Sequence, residues 1–415
     1  MAEPHESKAV MHNVASLSWL QLITYLLPMV ILPYLFRVLG PERFGLIAFA
    51  QAFVQYFMIL TDYGFNISAT KEISLCHEDT AKTCKVFSAV MTIQIALGFF
   101  SALILSVVVY FVPKFNNDWM LYVFSFGAVI GNILFPTWFF QGTEKMKYIA
   151  NLNIIGQVIY AVSIFCLVRT SQNYLVVPLI NSFVFLMTGL VGQYIIFRTF
   201  KVSFQWPGYK DVQHQLKSGW NIFISDVAIN AYTTTRVFAV GLMTNNTMTG
   251  FYSIAERIAN VAQTFPLSSF SQAIFPRLSK IFHRNKIRAL EIMQHIQHIT
   301  INISLICLPI IFIFAPFIVK VVCGANCPEA ILSLRFLLVS VLFVSSNAFR
   351  VQFLLVCGKT DIYSKIHITM AMIGLPLIIV LISYFSYVGA AMATVVIEAG
   401  VFTITYFTLK RLRFS

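Results

Sequence analysis

Charge is what this 415-residue chain has least of: 11% of its residues are Asp, Glu, Lys or Arg, against 58% hydrophobic. A water-soluble domain is about a quarter charged, because its core must be clothed in solvated groups. A soluble globular fold is therefore excluded. Disorder is excluded from the other side, since the 40 Phe residues alone supply ample apolar area to bury. Cysteine is also sparse, with seven irregularly spaced residues and no CxxC pair, which gives neither a zinc site nor a disulfide framework. His295 and His298 lie three apart but have no Cys or carboxylate at metal-ligand spacing. No Walker loop, GxSxG elbow or other nucleophile signature is present, which argues against an ATP-driven pump, and no cofactor is expected. What remains is a polytopic membrane protein.

A helix crossing about 30 Å of hydrocarbon needs about 20 residues at about 1.5 Å each. Dividing the chain at its charged and turn-rich clusters leaves twelve apolar segments, at 13–36, 44–69, 86–112, 119–141, 148–168, 174–197, 219–243, 250–275, 293–319, 331–356, 366–388 and 389–409. Lys and Arg alternate between the connections. The N-terminus, the even-to-odd loops and the C-terminus hold 20, and the opposite loops hold 5. Cytoplasmic loops are the ones enriched in these residues, so both termini are predicted cytoplasmic. This asymmetry accounts for most of the net charge of +13, and the scattered cations form no nucleic-acid-binding domain.

The midpoint stretch 201–217 reads as a cytoplasmic linker between an N-terminal lobe, 1–200, and a C-terminal lobe, 218–415. A repeat crosses it. Trp19, Arg37 and Gly45-Leu-Ile-Ala-Phe-Ala50-Gln51 are matched by Trp220, Arg236 and Gly250-Phe-Tyr-Ser-Ile-Ala255-Glu256. Six helices per half give both halves one topology, related by an axis along the membrane normal. The expected fold is all-α, with about twelve transmembrane helices in two six-helix bundles around a central cavity. The cationic stretch 276–292 reads either as an amphipathic surface helix or as an ordinary cytoplasmic loop.

Ionisable side chains inside hydrocarbon are costly and normally face a hydrated cavity or a partner. Eight fall within the segments: Asp62, Asp226, Arg236, Glu256, Arg257, Arg335, Arg350 and Glu398. At about 100° per residue, Gln51, Gln55, Asp62 and Asn66 line one side of the second segment. Asp226, Asn230 and Thr233 do the same in the seventh, and Ser253, Arg257, Asn260 and Thr264 in the eighth. Interhelical hydrogen bonding explains single polar residues better than it explains charged stripes, which favour a cavity. Arg236 and Glu256 lie at similar depth in neighbouring antiparallel segments and are placed to pair. Asp62 and Arg350 come near the cytoplasmic side, either as a gate or each with another partner. Glu398 stands alone near the midplane, which suits a proton-carrying role.

The stretches Tyr25-Leu-Leu-Pro28, Pro33-Tyr-Leu-Phe-Arg37-Val-Leu-Gly40-Pro-Glu-Arg-Phe44-Gly45 and Asp62-Tyr-Gly-Phe-Asn66-Ile-Ser-Ala-Thr70 resemble the opening of bacterial O-antigen flippases of the Wzx type. Trp138-Phe-Phe-Gln-Gly142-Thr-Glu-Lys-Met-Lys147 and Gln272-Ala-Ile-Phe-Pro276-Arg277 are similar to them as well. These flippases belong to the polysaccharide transporter family of the multidrug/oligosaccharidyl-lipid/polysaccharide superfamily. The resemblance implies two six-helix lobes in the bacterial inner membrane. It implies movement of undecaprenyl-diphosphate-linked oligosaccharide from the cytoplasmic to the periplasmic leaflet. The implied partners are that lipid-linked oligosaccharide, membrane lipid, and the polymerase and chain-length regulator of the same pathway.

Such a substrate needs a cationic, hydrated groove, and arginine suits its diphosphate because the guanidinium fork donates two parallel hydrogen bonds. Arg236, Arg257 and Arg350 are the expected diphosphate ligands, and Gln55, Asn66 and Asn132 the expected partners of sugar hydroxyls. Asp62, Asp226, Glu256 and Glu398 are the expected gating or ion-coupling groups. Two other readings stay open. A multidrug antiporter of the same superfamily would be expected to have an acidic cavity. A membrane-bound polymerase or glycosyltransferase usually needs an extramembrane catalytic loop longer than any here.

Overall fold

In the computed structural model, which describes residues 4–76, 79–264, 286–356 and 359–412, helix is the only regular secondary structure among the described residues. The helices are α1 (Pro4–Asp62), α2 (Phe65–Cys76), α3 (Thr80–Phe111), α4 (Pro113–Asn116), α5 (Trp119–Leu134), α6 (Thr137–Gly142) and α7 (Met146–Leu167). They continue with α8 (Val176–Thr199), α9 (Tyr209–Thr233), α10 (Thr235–Met243), α11 (246–264), α12 (Lys286–Cys323), α13 (Pro328–Val356) and α14 (Thr360–Leu412). The motif at 272–277 and the cationic stretch up to residue 285 lie outside the described residues.

Eight described segments are long and apolar enough to cross a membrane. Two of them, Leu27–Cys76 and Asp361–Arg411, have 50 and 51 residues, against about 20 for one crossing. Each is interrupted near its expected turn. In α1 the break is at Gly40, whose φ of 75° and ψ of 168° take the chain out of the helix before Pro41 restarts it. In α14 it is at Ser386, with φ 55° and ψ −140°, beside the expected turn at 387–389. Asp79 starts α3 sharply, accepting from the Lys82 amide at 3.1 Å. That hydrogen bond holds its carboxyl below the usual carboxylate range.

The chain forms two compact units, Met1–Leu39 with Phe53–Phe223, and Gly40–Ala52 with Ile224–Ser415. In the first, the core is aromatic. Phe87 meets Phe139 edge-on at 5.9 Å, and Phe139 meets Phe200 at 5.2 Å and 88°. Such pairs add about 0.5–1.5 kcal/mol each beyond their buried area. Carbonyls left over at helix ends find internal donors: Gln193 Nε2 donates to Leu134 O at 3.0 Å and Tyr34 Oη to Val168 O at 2.7 Å. Outward, α3 exposes Ile95, Phe99, Phe100, Leu103 and Val107, with Phe99 77% exposed. Such a face is tolerable only against lipid.

In the second unit, the two copies of the repeat touch each other. A Cβ on Gly45 would lie 1.8 Å from Asn246 O and 2.5 Å from Gly250 N, and one on Gly250 would lie 2.1 Å from Pro41 O. Each glycine thus faces the carbonyl four residues before the other, a reciprocal crossing in which only a missing side chain lets the backbones approach. One turn further, Phe49 stacks on Phe238 at 5.1 Å and 7°. Arg236 and Glu256 pair at 3.5 Å, with side chains only 12% and 15% exposed.

Gly45→Ala forces two backbones apart and should cost about 1–3 kcal/mol, lowering the thermal unfolding midpoint in micelles. Glu256→Leu alone should cost about 3–5 kcal/mol by stranding Arg236, whereas the double replacement Arg236→Met, Glu256→Leu should recover most of that loss.

Candidate functional site

Two helix breaks lie side by side in the first unit. The left-handed residues Tyr63 (φ 44°) and Gly64 (φ 74°) separate α1 from α2, and Phe135-Pro136 separates α5 from α6. Pro136 has no amide hydrogen to continue the helix. Across the breaks runs a ladder of polar side chains. Asn132 Nδ2 donates to Asp62 Oδ1 at 2.9 Å, and Thr137 Oγ1 donates to Asn66 Oδ1 at 2.8 Å. Thr70 Oγ1 lies 3.4 Å from Gln141 Oε1 and donates to Trp138 O at 3.2 Å. Asp62 and Asn132 are half-buried, while Asn66 and Gln55 are exposed.

Three expected residues, Asp62, Asn66 and Asn132, are thus brought together, though not as an unbroken helical stripe. The turn at Tyr63-Gly64 resets the helical phase between Asp62 and Asn66, and it is the facing break in α5–α6 that puts them on one ladder. Thr70, Thr137 and Gln141 complete the ladder; Thr70 and Gln141 fall in the quoted motifs, but none of the three was an expected site residue. Thr70 does continue the four-residue spacing from Asp62 and Asn66 one step past the expected helix end. Gln51, read as part of the same stripe, belongs to the second unit.

There Gln51 Oε1 accepts from Arg257 Nη2 at 2.7 Å, and the Arg257 guanidinium sits 5.3 Å from the centre of the Phe44 ring. Arg257 is exposed. It lies eleven residues into α11, about 16 Å along the helix axis. Arg236, paired with Glu256, also donates from Nε to Thr233 O at 3.0 Å. Arg350 is half-buried, donating to Ser346 O at 3.2 Å, with Phe402 and Tyr406 ring centres 4.8 and 5.2 Å from its guanidinium. Asp62 and Arg350 therefore each have partners within their own unit.

A third constellation fills the interior of the second unit. Asn230 Nδ2 donates to Asp226 O at 2.9 Å and Thr234 Oγ1 to Asn230 Oδ1 at 3.0 Å, a polar chain along α9. Tyr232 Oη and His367 Nδ1 lie 2.8 Å apart, both buried. Glu398 is half-buried and does not stand alone, because Arg236 and Tyr232 are within its electrostatic reach. Tyr232 and His367 were missed because neither lies on a charged stripe; a lone His in an apolar run was the available signal.

The comparisons with known proteins agree with this architecture. The family described as polysaccharide biosynthesis protein matches residues 10–282. A protein of Escherichia coli strain K12, described as "Putative O-antigen transporter", is 30% identical over 396 residues, covering 93% of each chain. A protein of Shigella dysenteriae with the same description is 25% identical, covering 94% of this chain and 96% of its own. Among solved structures, the lipid II flippase MurJ in an inward closed conformation superposes with a TM-score of 0.74 at 13% identity, covering 95% of this chain and 87% of its own. An inward-facing multidrug resistance MATE family transporter of the MOP superfamily gives 0.73 at 14%, covering 94% and 96%. The chain belongs to the polysaccharide biosynthesis protein family and is a multi-pass membrane transporter, not an enzyme.

Proposed function

We propose that the protein is a flippase carrying undecaprenyl-diphosphate-linked O-antigen repeat units, or those of a related polysaccharide, across the bacterial inner membrane. The units pass from the cytoplasmic to the periplasmic leaflet by alternating access. The observation that carries this reading is the presence, inside an apolar helical chain, of both chemistries such a substrate demands. An exposed guanidinium is held in place at helix depth by Gln51 and Phe44. A ladder of amides and hydroxyls lies at two helix breaks. Broken helices are where membrane transporters commonly expose polar groups to cargo.

The roles divide accordingly. Arg257 binds the diphosphate, its planar fork matching phosphate oxygens, and is oriented by Gln51. Arg236 and Arg350 contribute positive potential from their more buried positions. Asn66 and Asn132, with Gln55, exchange hydrogen bonds with sugar hydroxyls, and Asp62 fixes the Asn132 amide so that its remaining donor and acceptor point consistently. Asp226, Glu256 and Glu398 serve gating and ion coupling. The prenyl tail stays in lipid, whose contact faces are the apolar ones of helices such as α3. Both termini are cytoplasmic, and the proposed twelve crossings form lobes at 1–200 and 218–415 joined by 201–217. The polymerase and chain-length regulator of the same pathway are the proposed protein partners.

Deleting the gene in its native host should abolish surface polysaccharide and leave lipid-linked units on the cytoplasmic leaflet. A deletion strain that lacks any substitute flippase yet keeps normal polymer on immunoblots would rule the reading out. Arg257→Ala should reduce polymer by roughly 10- to 100-fold, the equivalent of losing a charged hydrogen bond of about 1.5–3 kcal/mol. Arg257→Lys should retain part of the activity, and equal polymer from both variants at equal membrane abundance would remove Arg257 from diphosphate binding.

A further inference from the structure

Between α8 and α9 the chain runs without helix from 201 to 208, and hydrogen bonds tie this strap to the first unit on both sides. Lys201, with a left-handed φ of 53°, turns the chain out of α8. The Ser203 amide then donates to Cys84 Sγ at 3.3 Å, and the Gln205 amide to Ser88 Oγ at 2.9 Å. Cys84 and Ser88 are one turn apart on α3, so alternate amides of the strap follow one face of that helix. Val202, just before them, is buried. On the far side Asp211 Oδ2 accepts from the Gly208 amide at 3.2 Å at the start of α9. One turn further, His214 Nε2 lies 2.5 Å from Glu72 Oε1 of α2, and Gln215 Nε2 donates to Glu72 Oε2.

What the strap presents outward is aromatic. Trp206 is 88% exposed and Tyr209 79%; Phe204 is exposed as well, with its ring centre 5.7 Å from that of Trp206. A loop free at one end folds such side chains away, whereas a strap held on both sides keeps them out, and exposed apolar groups gathered in this way mark a contact surface. Two helices set its level. α8 exposes Tyr194 and Phe197 to within two residues of its end at Thr199, so the strap leaves where hydrocarbon gives way to headgroups. α3 has 32 residues, about 48 Å against about 30 Å of hydrocarbon. Its exposed apolar face starts at Ile95, so the excess falls on the first turns, where Lys82 and Lys85 are exposed and the strap is bound. The charge there has one sign: 198–210 contains Arg198, Lys201 and Lys210 and no acidic residue.

We propose that residues 201–210 are a lipid-binding strap, in which Phe204, Trp206 and Tyr209 lodge among the headgroups of the adjoining leaflet and Lys201 and Lys210 hold anionic phospholipid beside them. Indole and phenol rings suit that layer because each has an apolar body and a polar edge. A basic residue near an anionic leaflet gains about 1 kcal/mol, and no acid in 198–210 cancels it. A soluble protein partner is served less well, since the strap leaves α8 flush with the bilayer. The strap runs directly into α9, the helix through which the chain passes from the first unit to the second. Lipid bound there fixes the start of α9 at the membrane surface. This needs only that the chain spans a membrane, and it holds whatever the cargo is.

The test uses full-length protein in nanodiscs of phosphatidylcholine mixed with phosphatidylglycerol, with no other protein present. The fluorescence of Trp206 is obtained as the difference between wild type and Trp206→Phe. Lipids brominated near the glycerol end of their acyl chains should remove most of that difference signal, and aqueous acrylamide should quench it several-fold less than it quenches free tryptophan. A signal fully open to acrylamide and untouched by the brominated lipids overturns the proposal and leaves the aromatic surface to a protein partner. Tyr209→Trp, read against wild type, is a second reporter that does not depend on the folding of Trp206→Phe, and it should show the same pattern. For the charge, brominated phosphatidylglycerol should quench Trp206 more than an equal fraction of brominated phosphatidylcholine. The double variant Lys201→Gln, Lys210→Gln should erase that excess. Equal quenching by the two lipids in wild type, or an excess that survives in the double variant, overturns the assignment of anionic lipid to the strap. Neither result bears on the flippase reading, which the polymer measurements decide separately.

Discussion

Hydrocarbon offers a polar group nothing to bond to, and every polar group in this protein's membrane-spanning helices is placed under that constraint. It dictates helix throughout the described chain, because helix alone satisfies each amide and carbonyl within its own segment. Where helices break, the freed groups must find side chains, as Leu134 O finds Gln193 and Val168 O finds Tyr34. It also makes the interior legible as chemistry. Glu256 costs too much alone and is kept beside Arg236, and Asp62 is kept beside Asn132.

The same constraint explains how the helices approach one another. Lipid tails are as apolar as leucine, so association rests on close packing, and glycine provides it. The crossing of Gly45 and Gly250 is notable because these residues occupy the same place in the two copies of the repeat. Each lies against the carbonyl four residues before the other, as in the self-complementary contact of a symmetric dimer. A duplicated segment that meets its own copy in this way needs only one small residue to serve both sides. The contact also accounts for the grouping of Gly40–Ala52 with the second half of the chain, since Phe49 and Gln51 follow Gly45 onto Phe238 and Arg257.

Much of the site was open to inspection before any coordinates. Composition excluded a soluble fold, and the stripes singled out Asp62, Asn66, Asp226 and Arg257 as polar positions within apolar segments. Depth alone paired Arg236 with Glu256. Periodicity failed where the backbone departs from a helix. It assumed that Gln51 to Asn66 form one straight stripe, and neither Tyr63 nor the pair Phe135-Pro136 announced that two breaks would face each other. Buried groups without a charged neighbour in sequence, Tyr232 and His367 above all, were invisible for the same reason. Nothing local distinguishes a core histidine from one aimed at a tyrosine 135 positions away.

By itself, then, the sequence determined the class of protein, its succession of apolar spans and the inventory of costly side chains, because these follow from the local price of exposing charge or backbone to lipid. Tertiary structure decided which of those side chains meet. It joined the ladder of Asn132, Thr137 and Gln141 to Asp62, Asn66 and Thr70, took Gln51 to Arg257, and drew Glu398 from isolation towards Arg236 and Tyr232. Those encounters depend on helix crossings and breaks, which bring together residues tens to hundreds of positions apart, and no local periodicity encodes them.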